Sequence, residues 1–200
     1  GYQSLYTNTT GANNTAVGLN ALVVNTTGGS NTAVGKGALD ANTTATGNTA
    51  VGVNAGGATT TGHVTAVGYA VLQSNTTGSA NVAVGGNDET SAAAMQSNTT
   101  GDNNTAMGVA ALKSNTTADH NTAVGYHALR LNTTGTANAA LGAFAADAIT
   151  TGDNNTAVGY NSLTVATTGD GNTAIGHQAL LVTTTASSNT AVGKDALGAN

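Results

Sequence analysis

Four aspartates recur at one position of a repeated sequence, and among the residues of this chain they are the best placed to do chemistry. Asp102 and Asp119 lie one repeat apart, as do Asp153 and Asp170, and each closely follows a Thr-Thr pair. Carboxylates stacked about 5 Å apart repel one another unless they are solvated or bridged by a cation. A retaining glycosidase needs a similar separation, but turns of this composition predict no pocket. We therefore interpret these residues as Asx-type turn caps, with weak cation binding as the alternative.

Four tyrosines lie directly after a glycine at the repeat spacing. One is Tyr2, near the start of the chain, and the three within the array are Tyr69, Tyr126 and Tyr160. An exposed aromatic side chain has an apolar ring and a polar tip, so it can stack on the face of a sugar ring. The three tyrosines are therefore candidates for glycan contact. Packing of each ring over the neighbouring repeat is the alternative interpretation.

One insertion interrupts the repeat. Between Gly85 and Gly108 the spacing is 23 residues instead of 16 or 17, which places six extra residues within 86–93. Insertions in repeat proteins form surface loops, often on the binding face. Asp88 and Glu89 make this stretch the most acidic point of the chain, so we treat both as candidate ligand contacts. A solvated loop without a ligand is the alternative.

The composition argues against several classes of function. The 200 residues include four Lys and Arg, which lie far apart, and the net charge is −5. Nucleic-acid binding needs clustered cations, so we do not expect it. There is no cysteine for a disulfide or a thiolate metal site, and we predict no cofactor. No apolar run approaches the roughly 20 residues of a membrane span. Catalytic motifs are also absent, so we do not expect an enzyme.

A short repeat must position all of these side chains. Its consensus is N-T-A-V-G-x-x-A-L-x-x-N-T-T-G-x-x, and nine of the ten gaps between its eleven glycines are 16 or 17 residues. A fixed short period is typical of proteins whose units bury their apolar faces by stacking on one another. The repeat glycines are Gly18, Gly35, Gly52, Gly68, Gly85, Gly108, Gly125, Gly142, Gly159, Gly176 and Gly193.

The residue types within the repeat predict an all-β fold. Asn-Thr-Ala-Val is β-prone and ends at a glycine, where the backbone can turn, whereas Thr, Asn, Gly and Val are poor helix formers. We predict a parallel β-solenoid of about twelve 17-residue coils, each with two short strands, as one repeat array over 1–200. Strands about 4.8 Å apart would give a rod roughly 50 Å long. Stacked Asn and Thr columns are expected to hydrogen-bond along it.

The alternation of Ala with an aliphatic residue indicates self-association. Successive strand residues point to opposite faces, so both faces of the Thr-Ala-Val strand carry an apolar column. We expect one column to fill the coil and the other to pack against a second chain. The chain begins and ends within a repeat and shows no polar cap, which is typical of a segment of a longer fibre.

The repeat resembles those of known fibres. N-T-A-V-G-x-x-A-L is similar to the S-x-A-I-G-type head repeats of trimeric autotransporter adhesins of the YadA-like kind. It is closer to the N-T-A-[IV]-G-Y-x-A-L-x-x-N-T-T-G arrays of bacteriophage tail fibres and bacterial surface fibre proteins, a form that 121–135 shows in full. The resemblance implies a left-handed β-roll, a homotrimer and an extracellular location on a cell surface or virion. It also implies attachment to a host glycan or protein receptor.

Three functions remain open. The first is an attachment fibre that mediates or spaces binding to a receptor. The second is a purely structural filament that assembles with copies of itself. The third is an ice- or lattice-binding solenoid, because the Asn and the second Thr of Asn-Thr-Thr are expected to share a face and to form a regular array of amides and hydroxyls.

Overall fold

Eleven short strands stack in a single parallel sheet in the order of the sequence. The computed structural model describes residues 1–86, 92–182 and 184–198, and within these ranges it contains no helix. Each strand pairs with the next, so ten full turns of a β-solenoid lie between the first strand and the last. This confirms the predicted all-β parallel solenoid. The strands are β1 (Thr15–Val17), β2 (Thr32–Val34), β3 (Thr49–Val51), β4 (Thr65–Val67), β5 (Val82–Val84), β6 (Thr105–Met107), β7 (Thr122–Val124), β8 (Ala139–Leu141), β9 (Thr156–Val158), β10 (Thr173–Ile175) and β11 (Thr190–Val192).

Within the described ranges each coil has one strand, so the prediction of two strands per coil is wrong. The Asn-Thr-Thr segment forms bends on the side away from the sheet. The backbone N–H groups of Thr9, Thr10 and Gly11 all donate to the carbonyl oxygen of Thr26, at 2.9, 3.1 and 3.3 Å. Parallel strands have evenly spaced bonds to successive carbonyls. Convergence of three donors on one oxygen joins the coils without forming a second sheet.

The middle residue of each strand faces the interior of the coil. Ala33, Ala106 and Ala123 are fully buried. The residues on either side of each alanine point outward, and the third residue of each strand forms a row that we call the outer apolar column. Val17 and Leu141 in this column are 57% and 53% exposed. The prediction that the Ala and aliphatic columns face opposite ways is confirmed. The outer apolar column comprises Val17, Val34, Val51, Val67, Val84, Met107, Val124, Leu141, Val158, Ile175 and Val192.

The large core side chain of a typical coil is attached to a left-handed backbone. Leu22, Leu112 and Leu129 are fully buried and have φ of 51°, 50° and 50°. A side chain branched at Cβ is the least tolerated in this region of φ. Among the described residues, thirty non-glycine residues have positive φ, and none of these is Val, Ile or Thr. This explains why the interior column carries Leu or Met in most coils, whereas the buried Val64 and Val71 lie at positions without a positive φ.

The repeat glycine ends each strand where neighbouring coils approach most closely. All eleven repeat glycines have φ between 119° and 139°. A Cβ placed on Gly125 would lie 2.4 Å from the carbonyl oxygen of Gly142 in the next coil. No side chain fits at that distance, so both the dihedral angle and the close approach require glycine.

Two columns of buried asparagine run through the interior. In the Asn-Thr-Thr column, the side-chain amide of Asn115 donates to Asn98 Oδ1 at 2.8 Å, and that of Asn132 donates to Asn115 Oδ1 at 3.1 Å. In the column before each strand, Asn121 Oδ1 accepts the backbone N–H of Asn138 at 3.0 Å. The predicted hydrogen bonding of stacked Asn columns along the rod is confirmed. These bonds satisfy polar groups that would be costly to bury alone.

Candidate functional site

The three candidate tyrosines lie along one edge of the rod, in the turn that follows each strand. Because the coils stack in register, Tyr69, Tyr126 and Tyr160 occupy equivalent positions in different coils. Their exposed fractions are 37%, 48% and 49%. All three rings are therefore accessible in the single chain. They differ in their neighbours, because Tyr126 and Tyr160 contact other rings, and no ring contact of Tyr69 occurs among the residues that the structure describes.

Five rings form a continuous group on four consecutive coils, which we call the aromatic row: Tyr126, His127, Phe144, Tyr160 and His177. Tyr126 stacks on His127 with ring centroids 3.9 Å apart, and Phe144 meets both edge-on at 5.2 and 5.3 Å. Tyr160 lies 6.1 Å from Phe144 and 5.5 Å from His177. These are the spacings of attractive ring pairs. Three steps between coils make the row about 14 Å long.

Three members of the aromatic row were missed by the sequence analysis. His127 and Phe144 lie two positions after the repeat glycine, and His177 lies one position after it, as Tyr126 and Tyr160 do. The signal was present as aromatic residues in these two adjacent positions of four successive repeats. This pattern can be recognised as one cluster only when both positions are known to lie on the same edge of the rod.

An ion pair borders the row. Arg130 follows Tyr126 in the same turn, and Asp147 lies in the next coil, close after Phe144. Arg130 Nε and Nη2 donate to the two carboxylate oxygens of Asp147 at 2.8 and 3.1 Å. This hydrogen bond raises the pKa of the Arg130 guanidinium. Burial, followed by the nearby charge of Arg130, lowers the pKa of His127, so the imidazole that stacks on Tyr126 is neutral at pH 7.

Asp88 and Glu89 of the insertion lie outside the described residues, but the flanking residues show where the insertion leaves the coil. The backbone N–H of Ala94 donates to the carbonyl oxygen of Gly85 at 2.7 Å. The same bond closes this turn in other coils. Strands β5 and β6 pair in register across the insertion. The chain therefore leaves the coil directly after Gly85, in the turn equivalent to the one that carries Tyr69.

The four aspartates cap the backbone of the preceding coil. Asp119 Oδ1 accepts the backbone N–H of Asp102 at 2.7 Å, and Asp102 Oδ1 accepts that of Ser79 at 2.6 Å. Asp170 Oδ1 accepts the N–H of Asp153 at 2.8 Å in the same way. The capping thus acts between coils and not within one turn. Among the described residues, no group of three or more His, Cys, Asp or Glu side chains is placed to hold a metal ion.

A shallow cavity opens at Gly57, where the equivalent position of other coils carries a side chain such as Gln73 or Arg130. The cavity has a volume of about 320 Å³. Burial raises the pKa of the Asp40 carboxyl at its rim. The lining residues are Asp40, Asn54, Gly57, Ala58 and Gln73.

The predicted array of amides and hydroxyls is wrong, because the asparagine of Asn-Thr-Thr faces the interior. Asn25 and Asn115 are fully buried. The first threonine uses its hydroxyl within the rod, as Thr99 Oγ1 does in donating to the carbonyl oxygen of Thr116 at 2.9 Å. The second threonine is exposed in ten of the eleven coils. A single column of threonine hydroxyls therefore remains on this surface.

No family model, curated protein or solved structure matches this chain. In the described ranges, there is no helix with the length and apolar character needed to cross a membrane.

Proposed function

We propose that this chain is a segment of an extracellular attachment fibre, a rod that displays or spaces a receptor-binding element on a cell surface or virion. The observation that carries the proposal is the outer apolar column, which runs the length of the sheet and is exposed to water in the single chain. Val17, Leu141 and Ile175 are 57%, 53% and 39% exposed. A continuous apolar surface of this kind marks a protein interface.

The partner at this surface is further copies of the same chain. Every strand contributes one apolar side chain to the column at the same position, and the rise per coil is about 4.8 Å. Two copies laid side by side therefore match coil for coil along the whole sheet. The column carries no charge, so its burial leaves no unpaired ion.

A homotrimer is the assembly that we propose. Three copies related by a threefold axis enclose the outer apolar column of each chain along that axis, and such a closed assembly is finite. The resemblance of the repeat to trimeric adhesin heads and tail fibres supports the same arrangement. The proposed receptor is a host-surface glycan or protein, and the proposal includes no enzymatic step.

Sedimentation equilibrium of the purified chain tests the assembly. The chain has a mass of 19.1 kDa, and we expect three times that mass. Val124→Asp combined with Val158→Asp places charges in the column and should give a folded monomer by circular dichroism. The matched control, Thr117→Asp with Thr151→Asp, changes exposed threonines away from the sheet and should remain trimeric.

Two outcomes would contradict the trimer. A folded wild-type monomer would show that the outer apolar column is stable in water. Polymers that lengthen with protein concentration would favour the purely structural filament, since open assemblies do not stop at a fixed mass.

A second candidate, lattice binding, is favoured by the threonine column opposite the sheet. The second position of the Thr-Thr pair is threonine in all eleven coils. Thr61 donates its hydroxyl to Gly78, and none of the other ten hydroxyls donates to a protein group within the part of the chain that is described. Regular hydroxyls about 4.8 Å apart on a rigid rod can order water.

Freezing experiments separate this candidate from the fibre. A lattice binder should depress the freezing point of water below its melting point, and Thr→Val replacement at Thr100, Thr117 and Thr134 should reduce that gap. A wild-type protein that produces no gap at millimolar concentration would exclude ice binding.

A further inference from the structure

We propose that the aromatic row is a binding track for a saccharide chain. The inference deepens the proposed function, because it places receptor contact on the shaft itself. The row consists of Tyr126, His127, Phe144, Tyr160 and His177, and it lies in the turns after β7, β8, β9 and β10.

The exposure of the row is more than packing between coils requires. The whole chain has six Tyr and Phe residues, and three of them lie in this row. Tyr126 and Tyr160 keep 48% and 49% of their surface in water although they contact neighbouring rings. Other coils place Leu19, Lys36 or Val53 at the position of these tyrosines, so the fold does not need an aromatic ring there. A contiguous exposed aromatic surface marks a binding site.

The polar groups beside the rings match a saccharide. Arg130 is held by Asp147 through Nε and Nη2 at 2.8 and 3.1 Å. A guanidinium has five N–H donors, so three donors remain for a ligand. Asn161 and Gln178 follow Tyr160 and His177 directly and add amide groups along the same edge. A carbohydrate presents an apolar ring face and polar hydroxyl groups. The aromatic rings can pack against the ring face, and the guanidinium and amide groups can hydrogen-bond with the hydroxyls.

Charge argues against a polyanion on this surface. The net charge of the chain is −5, and the charge of Arg130 is neutralised by Asp147. Nucleic acids need several free cations to displace their counterions. The structure therefore favours a neutral sugar chain over a nucleic acid.

The geometry also sets the direction and length of the ligand. The row advances by about 4.8 Å per coil and covers about 14 Å in all. One step is close to the length of one hexose unit in an extended chain. The bound saccharide therefore lies parallel to the rod axis, and about four of its units contact the row, one for each coil.

Isothermal titration calorimetry provides a direct test, because it reports binding without depending on the tyrosines that the variants remove. The probes are disaccharides to hexasaccharides of glucose, mannose, galactose and N-acetylglucosamine, first on an array and then by titration. We expect at least one neutral series to bind, with tetramers binding at least tenfold more tightly than dimers. Tyr126→Ala with Tyr160→Ala should weaken binding at least tenfold, since it removes two of the five rings of the row, both of them exposed.

Tyr69→Ala is the matched control, because Tyr69 lies at the same position of the repeat but outside the row. Its affinity should equal that of the wild type. Tyr126→Phe with Tyr160→Phe keeps the rings and should bind within about threefold of the wild type, which separates stacking from a loss of folding. The proposal is overturned if no probe binds the wild-type protein, or if Tyr69→Ala weakens binding as much as the double variant.

Sedimentation equilibrium on the same samples distinguishes the two proposals. A trimer that binds no probe would support the proposed fibre and contradict saccharide binding by the aromatic row. A monomer that binds a probe through Tyr126 and Tyr160 would support saccharide binding by the aromatic row and contradict the proposed trimer.

Discussion

Asn42 and Thr59 occupy successive positions of the buried Asn-Thr-Thr column, and neither Asn42 Oδ1 nor the Thr59 hydroxyl has a hydrogen-bond partner. Elsewhere in this column each asparagine amide donates to the one before it, as Asn115 donates to Asn98 at 2.8 Å. Thr59 is too short to continue this chain of bonds. The interruption leaves two buried polar atoms unsatisfied, each of which costs about 1–3 kcal/mol.

Thr59→Asn should therefore stabilise the protein. The new amide can donate to Asn42 Oδ1, and its oxygen can accept from the amide of Asn75 in the next coil. We expect a free energy of unfolding about 1–2 kcal/mol higher than for Thr59→Val, which removes the hydroxyl but leaves Asn42 without a partner. Urea unfolding measures both variants. Equal stabilities would show that the interrupted column costs nothing.

Gly125→Ala should strongly destabilise the rod. Its Cβ would lie 2.4 Å from the carbonyl oxygen of Gly142, at a φ of 138°. Overpacking and backbone strain together predict a loss of about 4 kcal/mol. Gly171→Ala is the control, because its φ is 64° and the nearest atom lies 3.9 Å from the added Cβ. That variant should lose only about 1 kcal/mol, and similar losses for both would contradict the close approach between coils.

Leu129→Val tests the left-handed interior position. Leu129 is fully buried at a φ of 50°, so the variant combines the loss of a methylene group with a branched Cβ in a disfavoured conformation. We expect a loss of about 2–3 kcal/mol in thermal or urea unfolding. Leu129→Met keeps an unbranched Cβ, as Met95 does in its own coil, and should cost less than about 1.5 kcal/mol. If the two variants are equally stable, the backbone conformation does not select the residue.

Asp40→Asn should change how stability depends on pH. Burial raises the folded-state pKa of Asp40 above its ordinary value of 3.8. A group of this kind stabilises the fold below its unfolded pKa, and that contribution is lost as pH rises through the folded pKa. We expect the variant to exceed the wild type in stability at pH 7 and the difference to vanish below pH 3.8. A difference that is independent of pH would contradict the assignment.

The sheet could be predicted from the sequence because neighbouring residues of a strand point to opposite faces, so adjacent columns of the repeat can be assigned to opposite sides. Ala123 and Val124 are adjacent, so they had to face opposite sides of a strand. The conformation of Leu129 could not be predicted in the same way, since spacing carries no information about the sign of φ. The second strand was predicted wrongly because Asn-Thr-Thr has strand-forming residues, whereas its backbone donors converge on one carbonyl.

The aromatic row could be predicted only in part, because the spacing of residues does not show which side chains meet across neighbouring coils. Tyr126 and Tyr160 repeat at one position and were identified individually. Their contacts through Phe144 depend on side chains from two neighbouring positions meeting across coils, at 5.2 and 6.1 Å. The role of Asp119 as a cap for the coil before it likewise depends on the stacking register, which the spacing within a single repeat does not specify.

The sheet also reveals how such a molecule can change size during evolution. Strands β3 and β4 pair in register although the coil between them is one residue shorter than the 17-residue period, and β5 and β6 do so although theirs is six residues longer. Recombination between near-identical repeats can therefore add or remove whole coils without disturbing those on either side. Each coil gained or lost in this way would change the length of the rod by about 4.8 Å.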